Sequence, residues 1–405
     1  MTVRVNKSSF NIREKLSELE RPIGLKGSEL MRAETAQEAR NLVSAGRKNL
    51  IINGAMTVHQ RGSNLTSGGY IADRWSFNTT SLDQWAGNAT WETDAPDGFS
   101  RSIKMNTTTA ETSFDSGDEL SFEHRIEAQD LQHLDWGTAN AKSLTLSFWV
   151  KCNKTGTQSI HVRAHDASDG YSTSYSINSA DTWEYKTIVI PGNTAGSINN
   201  DTGIGIWIRW IAADGDTANT ENAWDTSNIG PYAVSGAMAF GTTIGDYLQI
   251  TGVQLEVGKN ATEFEHRSYG EELALCQRYY YRVYGGRYEW RSSDYTTYRN
   301  GSLGSGSHPV TMRQTPTMGH NLTGNSTNTN PSNAASPVGA WSWYSWATGW
   351  GTSSSINSGT IANWGFEPTT NGWAGGIYYF SPSNYSHVTH MQISSQSYIE
   401  ANAEL

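Results

Sequence analysis

The stretch from Tyr247 to Arg282, YLQITGVQLEVGKNATEFEHRSYGEELALCQRYYYR, sets the tightest limits on how this chain folds. Leu248 and Ile250 share one parity, whereas Val253, Leu255 and Val257 share the other. In a strand, period-two alternation puts one set of side chains on a buried face. The parity flips at Thr251-Gly252, so an extra residue there, a β-bulge, is needed to return both sets to one core. Glycine tolerates the backbone that such a bulge demands. After Lys259-Asn260 the strand pattern stops. Ser268 then precedes Glu271 by three residues, the spacing of a capping box at a helix start. Leu273, Cys276, Gln277 and Tyr280 follow at helical spacing, and Tyr279–Tyr281 returns to β-prone residues. One β-domain ends here and another begins.

The rest of the chain agrees with a mainly β fold. Only 17% of the 405 residues are charged, while Gly totals 40, Trp 16 and Tyr 19, a balance that favours turns and strands over a helical enzyme. The alternating segment SLTLSFWVK sets Leu144, Leu146, Phe148 and Val150 against Thr145, Ser147, Trp149 and Lys151. Further strands are expected at Leu50–Ile52, in WEYKTIVI up to Ile190, and over Ile204–Ile211. Turn-like stretches such as 164–174 and 212–229 separate them. No helical run is long enough for βαβ units, so the expectation for 50–267 is an antiparallel, jelly-roll-like β-sandwich.

Residues 1–49 differ. They carry ten Lys/Arg against six Asp/Glu in a chain of net charge −10. Ile12, Leu16 and Leu19 form an apolar stripe of about three turns, too short to be a stable helix alone, so it needs a sister chain or a docking protein. After the short helix expected over 268–282, the segment 283–405 is β-rich and nearly uncharged. From Gly301 onward the charged residues are Arg313, Glu367, Glu400 and Glu404, and six tryptophans lie between Trp341 and Trp373.

The acidic balance argues against a nucleic-acid binder, which needs a basic face toward phosphates. No run of eighteen apolar residues exists, so membrane insertion is not expected. Cys152 and Cys276 lie too far apart in sequence for a zinc spacing and read as isolated buried thiols. The acidic turns at Asp166/Asp169 and Asp214/Asp216 lack the full spacing of a calcium loop, and His387 and His390 fall on opposite faces of a strand, so neither a metal nor a cofactor is expected. No GxSxG, HExxH or P-loop pattern occurs, and a glycosidase needs two carboxylates roughly 5–9 Å apart, which the acid-poor C-terminal region does not offer. Catalysis is not expected.

NLIINGAM and YIADRW near the start of the sandwich, together with GVQLEVGKNATEFEHRSYGEELALCQRYYYR at its end, resemble tail-fibre proteins of tailed bacteriophages. LMRAETAQEARNLVSAG resembles their virion-attachment ends, most of all those of cyanobacterial phages, and PVTMRQTPTM and YIEANAEL match more loosely. The resemblance implies a homotrimer in the virion tail, attached through its N-terminus to a tail adaptor, nozzle or baseplate protein. It also implies distal β-domains that meet lipopolysaccharide or another host surface glycan. Within that frame, Ile12, Leu16 and Leu19 are the tail-attachment candidates. Leu273, Cys276 and Tyr280 are expected to face a threefold axis, the alternative being a helix that caps the sandwich. Aromatic faces stack on sugar CH faces, so Tyr344, Trp346, Trp350, Trp364 and Trp373 are the glycan-binding candidates. The other functions that fit are a tail-associated polysaccharide depolymerase and a purely structural tail or baseplate component.

Overall fold

The computed structural model describes residues 48–62, 64–218, 220–230, 232–289, 301–320, 341–344, 364–377 and 390–405. The tail-attachment candidates Ile12, Leu16 and Leu19, and also Trp346, Trp350 and His387, lie outside the described residues. The fold is mainly β. One antiparallel sheet has the order β1 (Asn64–Leu65), β4 (Ala86–Glu92), β5 (Ser102–Thr109), β13 (Tyr247–Val257), β7 (Leu144–Cys152), β10 (Glu184–Ile190). The facing antiparallel sheet has the order β12 (Trp224–Asp225), β9 (Asp169–Ile177), β8 (Gly156–Ala164), β11 (Ile204–Asp214), β6 (Glu119–Glu127), β3 (Trp75–Thr80), β2 (Gly69–Ala72). Together they form the expected sandwich.

The core between the sheets follows the alternation. Leu144, Leu146, Phe148 and Val150 of β7 are fully buried, as are Ile206, Ile208 and Trp210 of β11. Trp75, Trp210 and Phe148 form a tilted and edge-on aromatic chain, with centroids 5.2 and 5.8 Å apart. On β13, Leu248 and Ile250 on one parity and Val253 and Leu255 on the other are all fully buried, because the β13–β7 register slips between Thr251 and Gln254 and Gly252 takes φ +61°. The bulge is where the parity flip requires it.

Two sequence expectations need correction. The segment Leu50–Ile52 is not a strand but an irregular, buried turn held by side chains. The stretch 164–174, read as a turn, contains the start of β9. Its Ser/Thr-rich sequence hides a period-two set, Tyr171, Tyr175 and Ile177, that packs into the core.

The helix α1 (Tyr269–Gln277) begins with the capping box: Ser268 Oγ accepts from the Glu271 amide, and the Ser268 amide donates to Glu271 Oε2 at 3.0 Å. Tyr280 then opens β14 (Tyr280–Glu289), which pairs with β20 (His390–Asn402). β20 also pairs with β16 (Thr317–His320) and β17 (Trp341–Tyr344), while β18 (Trp364–Thr369), β19 (Gly372–Ile377) and β15 (Gly301–Ser307) form a three-stranded sheet. Cys276 and Tyr280, expected at a threefold axis, are buried inside their own chain at 0% and 1% exposure. Cys276 packs with Ile52, Val58 and Tyr279, and Leu273 leans on the same cluster. Their burial is supplied within the chain. Both cysteines are free thiols.

Candidate functional site

The outer face of the six-stranded sheet gathers aromatic rings beside hydrogen-bonding groups. Side chains opposite each other across antiparallel strands share a face. Trp149 on β7 stands opposite Tyr185 on β10 and Thr251 on β13, and one step along the strands Lys151 and Gln249 stand opposite each other. Gln249 in turn faces Lys104 on β5. Trp149 is half-buried, with its ring centroid 5.4 Å from that of Tyr185, which is 45% exposed.

The glycine of the bulge lets this face close up. A Cβ on Gly252 would lie 2.7 Å from Phe99 Cζ and 2.9 Å from Trp149 Cδ1, so two rings converge over a residue with no side chain. Phe99 lies 5.0 Å from Phe264, edge-on, and 5.4 Å from His266. Tyr185, Trp149, Phe99, Phe264 and His266 thus form a continuous band.

Polar groups border the band. Asp94, in the loop that precedes β5, accepts from Lys151 Nζ at 2.9 Å and from Trp183 Nε1 at 3.4 Å, while its carbonyl accepts from Gln249 Nε2 at 3.0 Å and from Ser102 Oγ at 2.6 Å. Burial works against the Asp94 charge, but the Lys151 and Trp183 hydrogen bonds outweigh it and hold the carboxyl below its ordinary range. Tyr247 donates its hydroxyl to Asp181 at 2.5 Å and lies under Lys104 Nζ, 4.3 Å from the ring centre. Burial, then that hydrogen bond, pushes the Tyr247 phenol well above its usual range, so it stays a donor. Rings that present apolar faces, edged by oriented donors and acceptors, form a surface suited to stacking and hydroxyl recognition.

Beside the band lies a groove of about 630 Å³, formed by His266, the α1 face Glu271, Ala274, Leu275 and Arg278, and the loop Val310–Thr311. The opposite face of the sandwich is chemically different. There Arg209 is stacked 3.5 Å from the Trp207 ring centre and 4.2 Å from that of Tyr232, and its Nε meets Glu123 at 3.2 Å and Glu119 at 3.4 Å. Both carboxylates are buried and share Arg209, and Glu123 also meets Arg125 Nη2 at 3.1 Å, so these charges organise the strand face.

Sequence reasoning pointed to the C-terminal tryptophans and missed the sandwich face. Trp364 opens β18, Trp373 lies on β19 and Tyr344 closes β17. By register, Trp364 is opposite Ile377 and Trp373 opposite Pro368 in the three-stranded sheet. Tyr344 pairs with His390 in the other sheet and is not brought to them. The signal for the sandwich face was present, since Trp149 and Lys151 are the outward set of SLTLSFWVK. Its convergence with Phe99 and Phe264 depends on segments about fifty and over a hundred residues away, which no local pattern connects.

Among the described residues, those of the junction motifs at the two ends of the sandwich prove to be one another's partners. Asn49 donates to the Val253 carbonyl at 3.1 Å and accepts from the Leu255 amide at 3.0 Å, clipping the first motif to the far side of the bulge. Asn53 donates to the Val58 and Asp73 carbonyls at 2.8 and 2.9 Å, and its own amide donates to Glu272 of α1. Arg267 donates to the carbonyls of Asn49 and Ile51. They mark a structural joint.

No family model matches the chain, and no curated protein matches it. Among solved structures it is similar to the enzymatically active domain of bacteriophage CBA120 tailspike protein 4, at 16% identity and a TM-score of 0.28, over 52% of this chain and 21% of that one. The chain therefore spans about a fifth of that tailspike domain. It is also similar to a putative sugar binding protein from Bacteroides thetaiotaomicron (11% identity, TM-score 0.28, covering 52% of this chain and 100% of that one). A third similar structure is TmCBM61 in complex with β-1,4-galactotriose (12% identity, TM-score 0.25, covering 52% of this chain and 99% of that one). Likenesses at such TM-scores carry no weight for function.

Proposed function

We propose that this chain is a host-recognition component of a bacteriophage tail fibre and that the outer face of its six-stranded sheet binds a cell-surface glycan without cleaving it. The observation that carries the reading is the partly exposed band of Tyr185, Trp149 and Phe99 beside the Asp94–Lys151 pair, which the buried Gln249 braces from beneath. The tail setting and the homotrimer rest on the resemblance of the junction motifs NLIINGAM, YIADRW and GVQLEVGKNATEFEHRSYGEELALCQRYYYR, and the docking of residues 1–49 on a tail protein rests on that of LMRAETAQEARNLVSAG. The aromatic residues of the C-terminal sheets, Trp364 and Trp373 foremost, serve as a second contact with the host surface. Binding is preferred over cleavage because Glu119 and Glu123, the carboxylates that share Arg209, are buried against it and not open to a substrate.

A glycan array that includes bacterial lipopolysaccharides tests this. The full chain is expected to bind, and Trp149→Ala and Tyr185→Ala are each expected to weaken binding about fivefold to tenfold, the loss of one stacking contact of about 1–1.5 kcal/mol. Unchanged binding in both variants would move the site elsewhere. New reducing ends released from a bound polysaccharide would replace the binding reading with the depolymerase.

A further inference from the structure

We propose, resting on the glycan-binding reading above, that the ligand is an extended polysaccharide read along its length, with the aromatic band and the neighbouring groove as successive subsites for one chain. The two features share a residue. His266 packs 5.4 Å from Phe99 and 4.9 Å from Phe264 at the end of the band, and it also lines the groove. A ligand stacked on Trp149 and Phe99 that continues past His266 enters the groove directly.

The groove has the make-up such a continuation needs. Glu271, Ala274, Leu275 and Arg278 recur at the i, i+3, i+4, i+7 spacing of one helix face, beside the face that buries Glu272 and Cys276. The helix wall is therefore apolar in its middle and charged at its ends, while Glu265 and Arg267 add polar groups beside His266. Those ends are already oriented: Arg278 is held by Glu127 at 2.6 Å, and Glu271 by the Ser268 amide at 3.0 Å. A volume of about 630 Å³ falls within the ~300–1,000 Å³ of small-ligand sites, enough for a few sugar rings rather than one. Sugar chains alternate apolar CH faces with hydroxyl edges, which is the order the groove presents. A terminal sugar would need the band alone.

The test is affinity electrophoresis of the full chain in gels that contain β-1,4-galactan, β-1,4-xylan, mixed-linkage β-glucan or smooth lipopolysaccharide. Calorimetry then follows with the matching mono-, di-, tetra- and hexasaccharides. Affinity is expected to rise by roughly tenfold from the disaccharide to the hexasaccharide, one further contact at about 1.4 kcal/mol per tenfold. Leu275→Trp, which fills the groove, and Thr311→Trp, from its exposed opposite wall, are each expected to erase that gain while disaccharide affinity moves less than twofold. Trp149→Ala is expected to weaken every length. Affinity that levels off at the disaccharide, or groove variants that leave hexasaccharide binding intact, would overturn the extended-chain inference and leave the band reading standing. A chain that no polymer retards would overturn both.

Discussion

Gly252 holds φ +61° under the rings of Phe99 and Trp149, so two separate demands meet at one residue. A left-handed backbone costs a non-glycine residue about 1–2 kcal/mol, and forcing a methyl under two packed rings costs about 1–3 kcal/mol more. Gly252→Ala is therefore expected to lose about 3 kcal/mol in urea denaturation and to disturb the aromatic band at the same time. Asp214 makes the pH-dependent case. Burial first, then the charges of Glu119 and Asp216, push its carboxyl up to about 7 from a usual value near 4. A raised folded pKa means the folded state holds a proton that the unfolded state has lost. The associated stability is complete below pH ~4 and declines as the pH rises through ~7. Asp214→Asn is expected to raise stability by about 1–2 kcal/mol at pH 8 relative to the native chain and to bring no gain at pH 4, read from denaturation midpoints at both values. A gain of equal size at both pH values would assign the effect to packing instead.

At the scale of elements, the bulge and the Asn49–Gly54 turn are a matched pair. The bulge frees Val253 and Leu255 backbone groups, and the turn meets them through Asn49 and through the Val253 amide, which donates to the Gly54 carbonyl at 2.9 Å. Asn53 is fully buried, with three side-chain bonds, one of them accepted from the Val58 amide at 2.9 Å. Asn53→Ala strands those partners away from water and is expected to cost about 2–3 kcal/mol, with faster hydrogen exchange at Val58. Ser268→Ala removes only the cap of a nine-residue helix and is expected to cost about 1 kcal/mol. The capping box, the bulge and the β7 alternation were legible because each is a local pattern. The Asn49–Gly54 turn was misread as a strand because its apolar residues look β-prone, while the bonds that hold it come from residues some two hundred positions later.

Across the whole molecule, the C-terminal segment returns to the sandwich instead of leading away from it. Glu404 is ion-paired with Arg74 and with Arg61, the latter at 3.0 Å, and those guanidiniums lie 3.6 Å from the ring centres of Tyr279 and Tyr280 respectively. Arg313 ties the same segment down by donating to the Ala403 carbonyl at 2.9 Å and to Thr202 at 2.6 Å. Arg74 is 2% exposed, so Glu404→Ala leaves a buried cation unpaired and is expected to cost about 3–5 kcal/mol, visible as a lowered thermal midpoint. This root also changes what a trimer would require. Cys276 and Tyr280 are consumed by internal packing, so they are not available to a contact between chains. Sedimentation of the full chain reports the assembly directly.

The sequence by itself determined the architecture: period-two runs, a parity flip with a glycine at the flip, and a capping box specify a bulged antiparallel sandwich followed by a short helix. Those features are set by neighbours a few residues apart, so the order of residues is enough to read them. Only the tertiary structure decided which outward aromatic residues share a surface, and that the junction motifs at the two ends of the sandwich are mutual partners at one joint. Trp149, Phe99 and Phe264 come from three separate segments, and their meeting over Gly252 is a property of sheet order and bulge geometry. Neither is written in any single segment of the chain.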